Sequence, residues 1–327
     1  MKVIVIGSEA RTKKYLPALE VVEQVELVIF ERGTADEDIL ATASDASCIF
    51  ADAICPVSAQ LIQNMPNLKF IQSEGVAFNA IDIEAARAHG VIVSNNKGVN
   101  ASSVAEHTVM LMLACLRDAI CGDEAVRAGE QIQMKERMMV EGYRELNDCK
   151  IGFIGAGDIA QATMKRLQNW DAEMSYFKRT RLTSAEEQLL GVSFEPLDDL
   201  LATSDIVSLH VPVTSETTNM VNAEFFSKMK PGALLINTAR GEIVDQEALI
   251  AALASGTVAM AGLDTLAPEP VLLDNTMLTV PEDVARRIVF SPHVAGNSEG
   301  TFVRAHRTAW ENIARILRGE DPVHRVS

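Results

Sequence analysis

Lys150-Ile151-Gly152-Phe153-Ile154-Gly155-Ala156-Gly157-Asp158-Ile159-Ala160 is the stretch whose reading decides the fold. An apolar, strand-like run ends in a glycine-rich turn, and a helical pattern follows from Gln161 to Asn169. The turn fits G-x-G-x-x-G/A. Its first glycine permits a tight turn, its second lets backbone approach a pyrophosphate, and its third position needs only a small residue, here Ala160. Unpaired N–H groups and the helix dipole favour an anion at such a helix start. Alone the hexapeptide is weak, since glycines mark ordinary turns; with a strand before and a helix after, it predicts a dinucleotide site at Gly155, Ala156, Gly157, Asp158 and Ile159.

Outward from that turn, short β-branched runs alternate with helical patterns, which predicts α/β architecture with parallel sheets. Upstream, strands are expected at Val3 to Ile6, Val25 to Phe30, Ala46 to Phe50, Phe70 to Ser73 and Val91 to Val93, with a helix from Asp82 to His89. This first block has no glycine-rich phosphate loop. Asn100 or Ser102 can cap the next helix, and Glu106 follows Ser103 at capping-box spacing. Ala105 to Leu116 is apolar on nearly every face and reads as an element crossing between domains, covered by a second domain or a partner subunit. Residues 122–149 carry little pattern. Downstream, strands are expected at Glu173 to Phe177, Ile206 to His210, Leu234 to Asn237, Ala259 to Leu263 and Ile288 to Phe290, then a helical stripe of Phe302, Ala305, Ala309, Ile313 and Ile316. The fingerprint lies mid-chain, so one domain is expected to be inserted into the other.

Bulk features narrow the function. A chain of 327 residues exceeds what one core usually serves, and 48% hydrophobic with 23% charged residues excludes wholesale disorder. A net charge of −16 disfavours nucleic acid and anionic membranes as partners, so any phosphate binder must gather its cations locally. The apolar run after Met1 is too short for a signal peptide, and none elsewhere could span a bilayer. Five cysteines without a C-x-x-C pair signal neither a disulfide framework nor a zinc site, and cytoplasmic location is the default expectation.

The local cations lie eighteen residues beyond Ala160, where NAD binders place an acid for the ribose 2′-OH. The sequence there reads Lys178-Arg179-Thr180-Arg181, which suits a 2′-phosphate and favours NADP(H), with NAD(H) possible. Three further segments each follow a strand: Asn237-Thr238-Ala239-Arg240-Gly241-Glu242-Ile243-Val244-Asp245, Gly262-Leu263-Asp264 through Glu269-Pro270, and Ser291-Pro292-His293-Val294-Ala295-Gly296. Singly, Arg240, Glu269 and His293 could be a surface cation, a loop charge and a satisfied histidine. Together they supply what carbonyl reduction needs: a cation for a substrate carboxylate, a proton donor, and an acid that tunes the donor. The unperturbed imidazole pKa of about 6.5 suits proton exchange near neutrality.

With His210-Val211-Pro212 and Thr217 added, five motifs stand in order, and over essentially its full length the chain resembles the D-isomer-specific 2-hydroxyacid dehydrogenase family. The resemblance implies two doubly wound domains: a Rossmann dinucleotide-binding domain, residues 100–297, inserted into a flavodoxin-like substrate domain of residues 1–99 plus 298–327. It implies a homodimer, a small 2-keto or 2-hydroxy acid substrate, and no metal. Arg240 would bind the substrate carboxylate, His293 would exchange the proton with Glu269 as its partner, and Asp264 would hold the nicotinamide carboxamide. Thr238, Ala239 and Gly296 would join the cofactor site. Gly75-Val76-Ala77 matches the loop whose amides meet the substrate carboxylate, and Asn100 a polar position by the crossing helix.

The chain departs from the family at Lys178, where an acid is usual, at Ala77 and Asn79, and in a longer Glu269-to-His293 interval containing Pro281-Glu282-Asp283. The leading expectation is an NADP(H)-linked reductase of glyoxylate or hydroxypyruvate type. An NAD-linked phosphoglycerate or D-lactate dehydrogenase and a dinucleotide-sensing corepressor-like protein are the alternatives.

Overall fold

Two parallel sheets organise the chain, each in its own unit. The computed structural model describes residues 1–327; one unit comprises Met1–Asn100 with Asn297–Ser327, the other Ala101–Gly296.

In the first unit, β1 (Lys2–Ile6), β2 (Glu26–Phe30), β3 (Cys48–Ala51), β4 (Phe70–Ser73) and β5 (Ile92–Ser94) pair in parallel in the order β2-β1-β3-β4-β5. Both faces of this sheet are covered, which is why its strands read as unbroken apolar runs rather than alternating ones. Ile4, Ile49, Ile71 and Val93 pack with Leu61 and Ile62 on one face. Val3, Cys48 and Phe70 meet Trp310 and Ile313 of the C-terminal helix, Glu299–Leu317, on the other. Ser298 caps that helix by accepting from the Thr301 amide.

The second unit holds β6 (Lys150–Ile154), β7 (Glu173–Phe177), β8 (Ser193–Phe194), β9 (Ile206–Leu209), β10 (Ala233–Asn237), β11 (Val258–Leu263) and β12 (Ile288–Phe290). Their order is β12-β11-β10-β9-β6-β7-β8, again parallel throughout. The order reverses between β6 and β9, the switch point where sheets of this kind bind ligands beyond the carboxyl ends of their strands. One face is covered by the helices Ala101–Leu116 and Asp158–Leu167. The other packs on Phe225, Phe226, Leu249 and Leu253. The doubly wound α/β expectation therefore holds for both sheets.

Local readings differ in two places. The helix after Asn100 begins at Ala101, so Ser103 and Glu106 lie inside it and form no capping box. Ser103 Oγ instead donates to the Ala295 carbonyl at 2.6 Å. Residues 119–127 and 131–141 form two helices that pattern did not reveal, because almost nothing in them is buried.

Candidate active site

Six loops of the second unit leave the carboxyl ends of β6, β7, β9, β10, β11 and β12, and the candidate cofactor and catalytic residues of that unit lie on them or at the start of the helix Asp158–Leu167.

The Gly155 turn follows β6. Gly155 has φ +100°, and a Cβ there would stand 2.4 Å from the His210 carbonyl oxygen, so the turn and the loop after β9 touch through main chain alone. Gly157 is different: a Cβ there would meet nothing within 4 Å. No internal packing requires that glycine, so what it leaves clear is room for an external group. Gln161 is the first residue to donate a helical hydrogen bond, to Gly157 O at 2.9 Å, and no side chain caps the helix. The amides of Asp158, Ile159 and Ala160 are thus open to an anion. These residues fit a dinucleotide pyrophosphate, although Asp158 places a carboxylate in the same first turn.

Beyond β7, the cations divide. Arg181 forks onto Glu187 at 2.8 and 2.9 Å and lies over the Phe194 ring, so it is committed to its own unit. Arg179 pairs with exposed Glu216 at 2.6 Å, while Lys178 has no ion-pair partner. After β9, Thr217 Oγ accepts from the Thr214 amide and donates to the Pro212 carbonyl, closing that loop. The His210 ring holds Ser208 at 2.8 Å and packs on Phe153; burial pushes it down to about 3, which favours the neutral ring.

Buried Asn237, at the end of β10, accepts from the Ala239 amide and donates to the Arg240 carbonyl, shaping the turn that carries Arg240. Arg240 is exposed and lacks a carboxylate partner; its Nη1 reaches only the Ala239 carbonyl. Thr238 turns inward onto Thr108 at 2.9 Å. At the adjoining Gly241, a Cβ would lie 2.1 Å from the Leu266 carbonyl carbon, so the Arg240 loop rests directly on the loop leading to Glu269.

His293 and Glu269 are joined. Nδ1 lies 2.8 Å from both carboxylate oxygens, and both side chains are partly exposed. His293 sits at φ +52°, a left-handed conformation uncommon outside glycine. Buried Asp264 holds it there: its carboxylate accepts from the Ser291 hydroxyl at 2.5 Å and the Val294 and Ala295 amides at 3.1 and 3.0 Å, and its carbonyl accepts from the His293 amide. The Asp264 side chain thus supports the histidine turn, a role the sequence did not suggest. His107 adds to this, with Nε2 2.7 Å from Ser291 Oγ. Burial pushes the Cys48 and Cys115 thiols up to about 12 and that of Cys121 up to about 11.

In the first unit, Gly75, Val76 and Ala77 follow β4. The carbonyls of residues 74 to 77 accept in turn from Asn96 Nδ2, the Asn96 amide, Asn95 Nδ2 and Ser73 Oγ, at 2.6–2.9 Å. The amides of Gly75, Val76 and Ala77 have no acceptor. The carbonyls are thus tied while three successive amides stay open, which suits an anion. Asn100 closes the first stretch of this unit, directly before the helix Ala101–Leu116.

Residues 109–295 match the model of the D-isomer specific 2-hydroxyacid dehydrogenase, NAD binding domain. The chain belongs to the D-isomer specific 2-hydroxyacid dehydrogenase family. Among family relatives, it is 37% identical to a glyoxylate reductase of Thermofilum pendens over 286 residues, covering 88% of this chain and 83% of that one. It is 35% identical to a glyoxylate reductase of Pyrococcus furiosus, covering 98% and 94%. Its fold matches, over the full length of both chains, a D-isomer specific 2-hydroxyacid dehydrogenase from Lactobacillus delbrueckii ssp. bulgaricus in an NAD-complexed form, with TM-score 0.85 and 25% identity. This family member is therefore an oxidoreductase acting on a CH–OH group with a nicotinamide cofactor.

Proposed function

We propose that the protein reduces small 2-keto acids of the glyoxylate or hydroxypyruvate type to D-2-hydroxy acids, with NADPH as reductant. The observation that carries this reading is the His293–Glu269 pair, with an Arg240 that has no acid of its own on the loop that rests against the one leading to Glu269. Two curated relatives named glyoxylate reductase support the substrate class. Lys178, Arg179 and Arg181, where a ribose-binding acid would stand, support NADPH, with Arg179 paired to Glu216 and Arg181 to Glu187.

Reduction adds a hydride to the carbonyl carbon and a proton to its oxygen. The bound nicotinamide supplies the hydride. Arg240 holds the substrate carboxylate and stabilises the alkoxide charge as it develops. With Nδ1 held by Glu269, His293 delivers the proton from Nε2, and Glu269 stabilises the imidazolium that gives it up. Gly75, Val76 and Ala77 are assigned to substrate binding through their open amides, which suit a carboxylate. Residues Gly155 to Ile159 hold the pyrophosphate at the helix start.

Steady-state NADPH oxidation against glyoxylate, hydroxypyruvate, pyruvate and bulkier keto acids tests the reading. Turnover of the two smallest is expected, and His293→Ala is expected to lower kcat by about 10²-fold or more with cofactor affinity unchanged. Near-normal turnover in that variant would remove the histidine from the mechanism.

Two supporting readings complete the proposal. A second copy of this chain covers Ile132, Met139 and Val140, which the Gln131–Glu141 helix leaves exposed, and sedimentation of Val140→Lys as a monomer would bear this out. Five unpaired cysteines fit a cytoplasmic location, and no helix is long and apolar enough to cross a membrane.

A further inference from the structure

The first unit contains a second cluster of titratable groups that the mechanism above does not use. Glu74 immediately precedes the Gly75 loop, and its carboxylate accepts from three donors: Arg11 Nε at 3.0 Å, Arg11 Nη2 at 2.7 Å and His306 Nε2 at 2.9 Å. Arg11 Nη2 also reaches Asp52 at 2.5 Å, and Arg32 Nε meets the same Asp52 oxygen at 2.7 Å. His306 is 0% exposed, packs edge-on to Phe50 and leaves its Nδ1 without a partner. A carboxylate only accepts, so Nε2 carries the proton, and the ring makes this one polar contact alone. Arg11 lies over Phe302, which stacks on Tyr15.

We infer that Arg11, Glu74 and His306 form a buried charge clamp that positions the Gly75–Ala77 amides for the substrate carboxylate. This rests on the reading that those amides bind it.

Two physical effects meet in the clamp. The first is orientation. Residue 74 is held at its side chain by Arg11 and His306, at its amide by the Ala51 carbonyl at 2.7 Å, and at its own carbonyl by Asn96 at 2.8 Å. With every polar group of residue 74 fixed, the direction of the next amides is fixed as well. The second is charge. An ionised Glu74 beside an anion-binding turn would repel a substrate carboxylate, and Arg11 cancels it at contact distance. Burying such an array costs desolvation that a well-packed apolar set would avoid. Its contribution is therefore to the loop's aim and potential more than to the stability of the unit. These are positioning residues, and they act on binding of the keto acid rather than on transfer of hydride or proton.

The test compares Arg11→Met, His306→Leu and His306→Gln with the wild type, at saturating NADPH and varied glyoxylate, with circular dichroism to confirm folding. Arg11→Met removes the guanidinium from Glu74 while Asp52 keeps Arg32, and His306→Leu removes one donor. Each is expected to raise KM for glyoxylate about tenfold, with kcat within about threefold and the NADPH KM unmoved. His306→Gln, whose amide can donate where Nε2 does, is expected to recover most of the loss. Should Arg11→Met fail to fold, the histidine pair decides. A folded His306→Leu enzyme with wild-type KM, or one that loses kcat while KM stands still, overturns the clamp and leaves the functional reading intact. A wild-type enzyme that reduces no keto acid overturns the functional reading, and the clamp falls with it.

Discussion

The Gly155 turn and the Gly75 loop both present open amides beyond the carboxyl end of a parallel strand, and they arrive there by different routes. The Gly155 turn is set mostly by its own residues, beyond its main-chain contacts with Phe177 and His210. Glycines and the start of the Asp158–Leu167 helix supply its geometry within a few residues. The Gly75 loop is held from outside, with its carbonyls tied by Ser73, Asn95 and Asn96 and its base gripped by Arg11 and His306. A phosphate turn built locally can be read from a hexapeptide. A loop built by residues from distant parts of the chain can be matched to a pattern, but its working parts stay hidden until the fold is known.

Substitution of the two glycines should separate the routes most strongly. Gly157→Val puts a side chain into open space, so thermal stability should hardly move. Cofactor affinity should fall about tenfold or more as the backbone loses its approach to the pyrophosphate, read by NADPH fluorescence titration. At Gly75, a Cβ would stand 2.8 Å from Ala53 Cβ. Gly75→Ala should therefore shift the loop, raising the keto-acid KM and lowering Tm together. If both glycines behave alike, the contrast between the loops is wrong.

The cofactor side can be sharpened next. Lys178→Asp with Arg179→Ala should move the NADPH-to-NADH ratio of kcat/KM towards NADH by about tenfold or more, as charge-assisted contacts to a 2′-phosphate are lost. An unchanged ratio would take the basic turn out of cofactor choice.

At the amino end of β9, on the opposite side of the seven-stranded sheet from these loops, Asp205 provides a control that bears on folding alone. Burial by itself would raise its carboxyl. Lys230 at 2.7 Å, the Lys150 amide at 3.0 Å and Arg144 outweigh burial and hold it below the ordinary carboxylate range. A group with a depressed folded pKa stabilises fully above its unfolded pKa of about 3.9, and that contribution is lost as pH falls through the folded value. Asp205→Asn should cost about 2 kcal/mol near neutrality by chemical denaturation. The gap to wild type should close in acid, and kcat should be unaffected. A pH-independent gap would deny the depressed pKa.

The smallest effect is expected at Asp158, whose carboxylate sits in the first turn where the pyrophosphate is proposed to bind. Asp158→Asn should tighten NADPH by about two- to fivefold, the size of a single charge at a helix terminus. Weaker binding would mean the carboxylate is used rather than tolerated.

How far the sequence was legible follows the same division. Strands with both faces covered announced themselves as apolar runs, and the C-terminal stripe marked its helix. The helices at 119–127 and 131–141 did not, because a surface segment imposes no burial pattern. The His293–Glu269 contact was implied by resemblance, yet the use of Asp264 on the histidine turn was invisible, since a buried acid reads the same whatever it faces. Arg181 looked equivalent to Lys178 in the sequence, and its pairing with Glu187 could not be read there. His306 and Asn312 did leave a signal: two polar residues set among the apolar positions of the last helix, both fully buried. Polar residues within an apolar stripe ask for partners, and both have them across the unit, at Glu74 and Gln72.

Because only hydrogen fits at residue 241, the spacing between the guanidinium-bearing and carboxylate-bearing loops is a property of main chain. Randomising side chains in either loop would leave that ruler intact, whereas adding or deleting a single residue would reset it for both. Efforts to fit this enzyme to bulkier acids should therefore vary residue identities and keep both loop lengths constant.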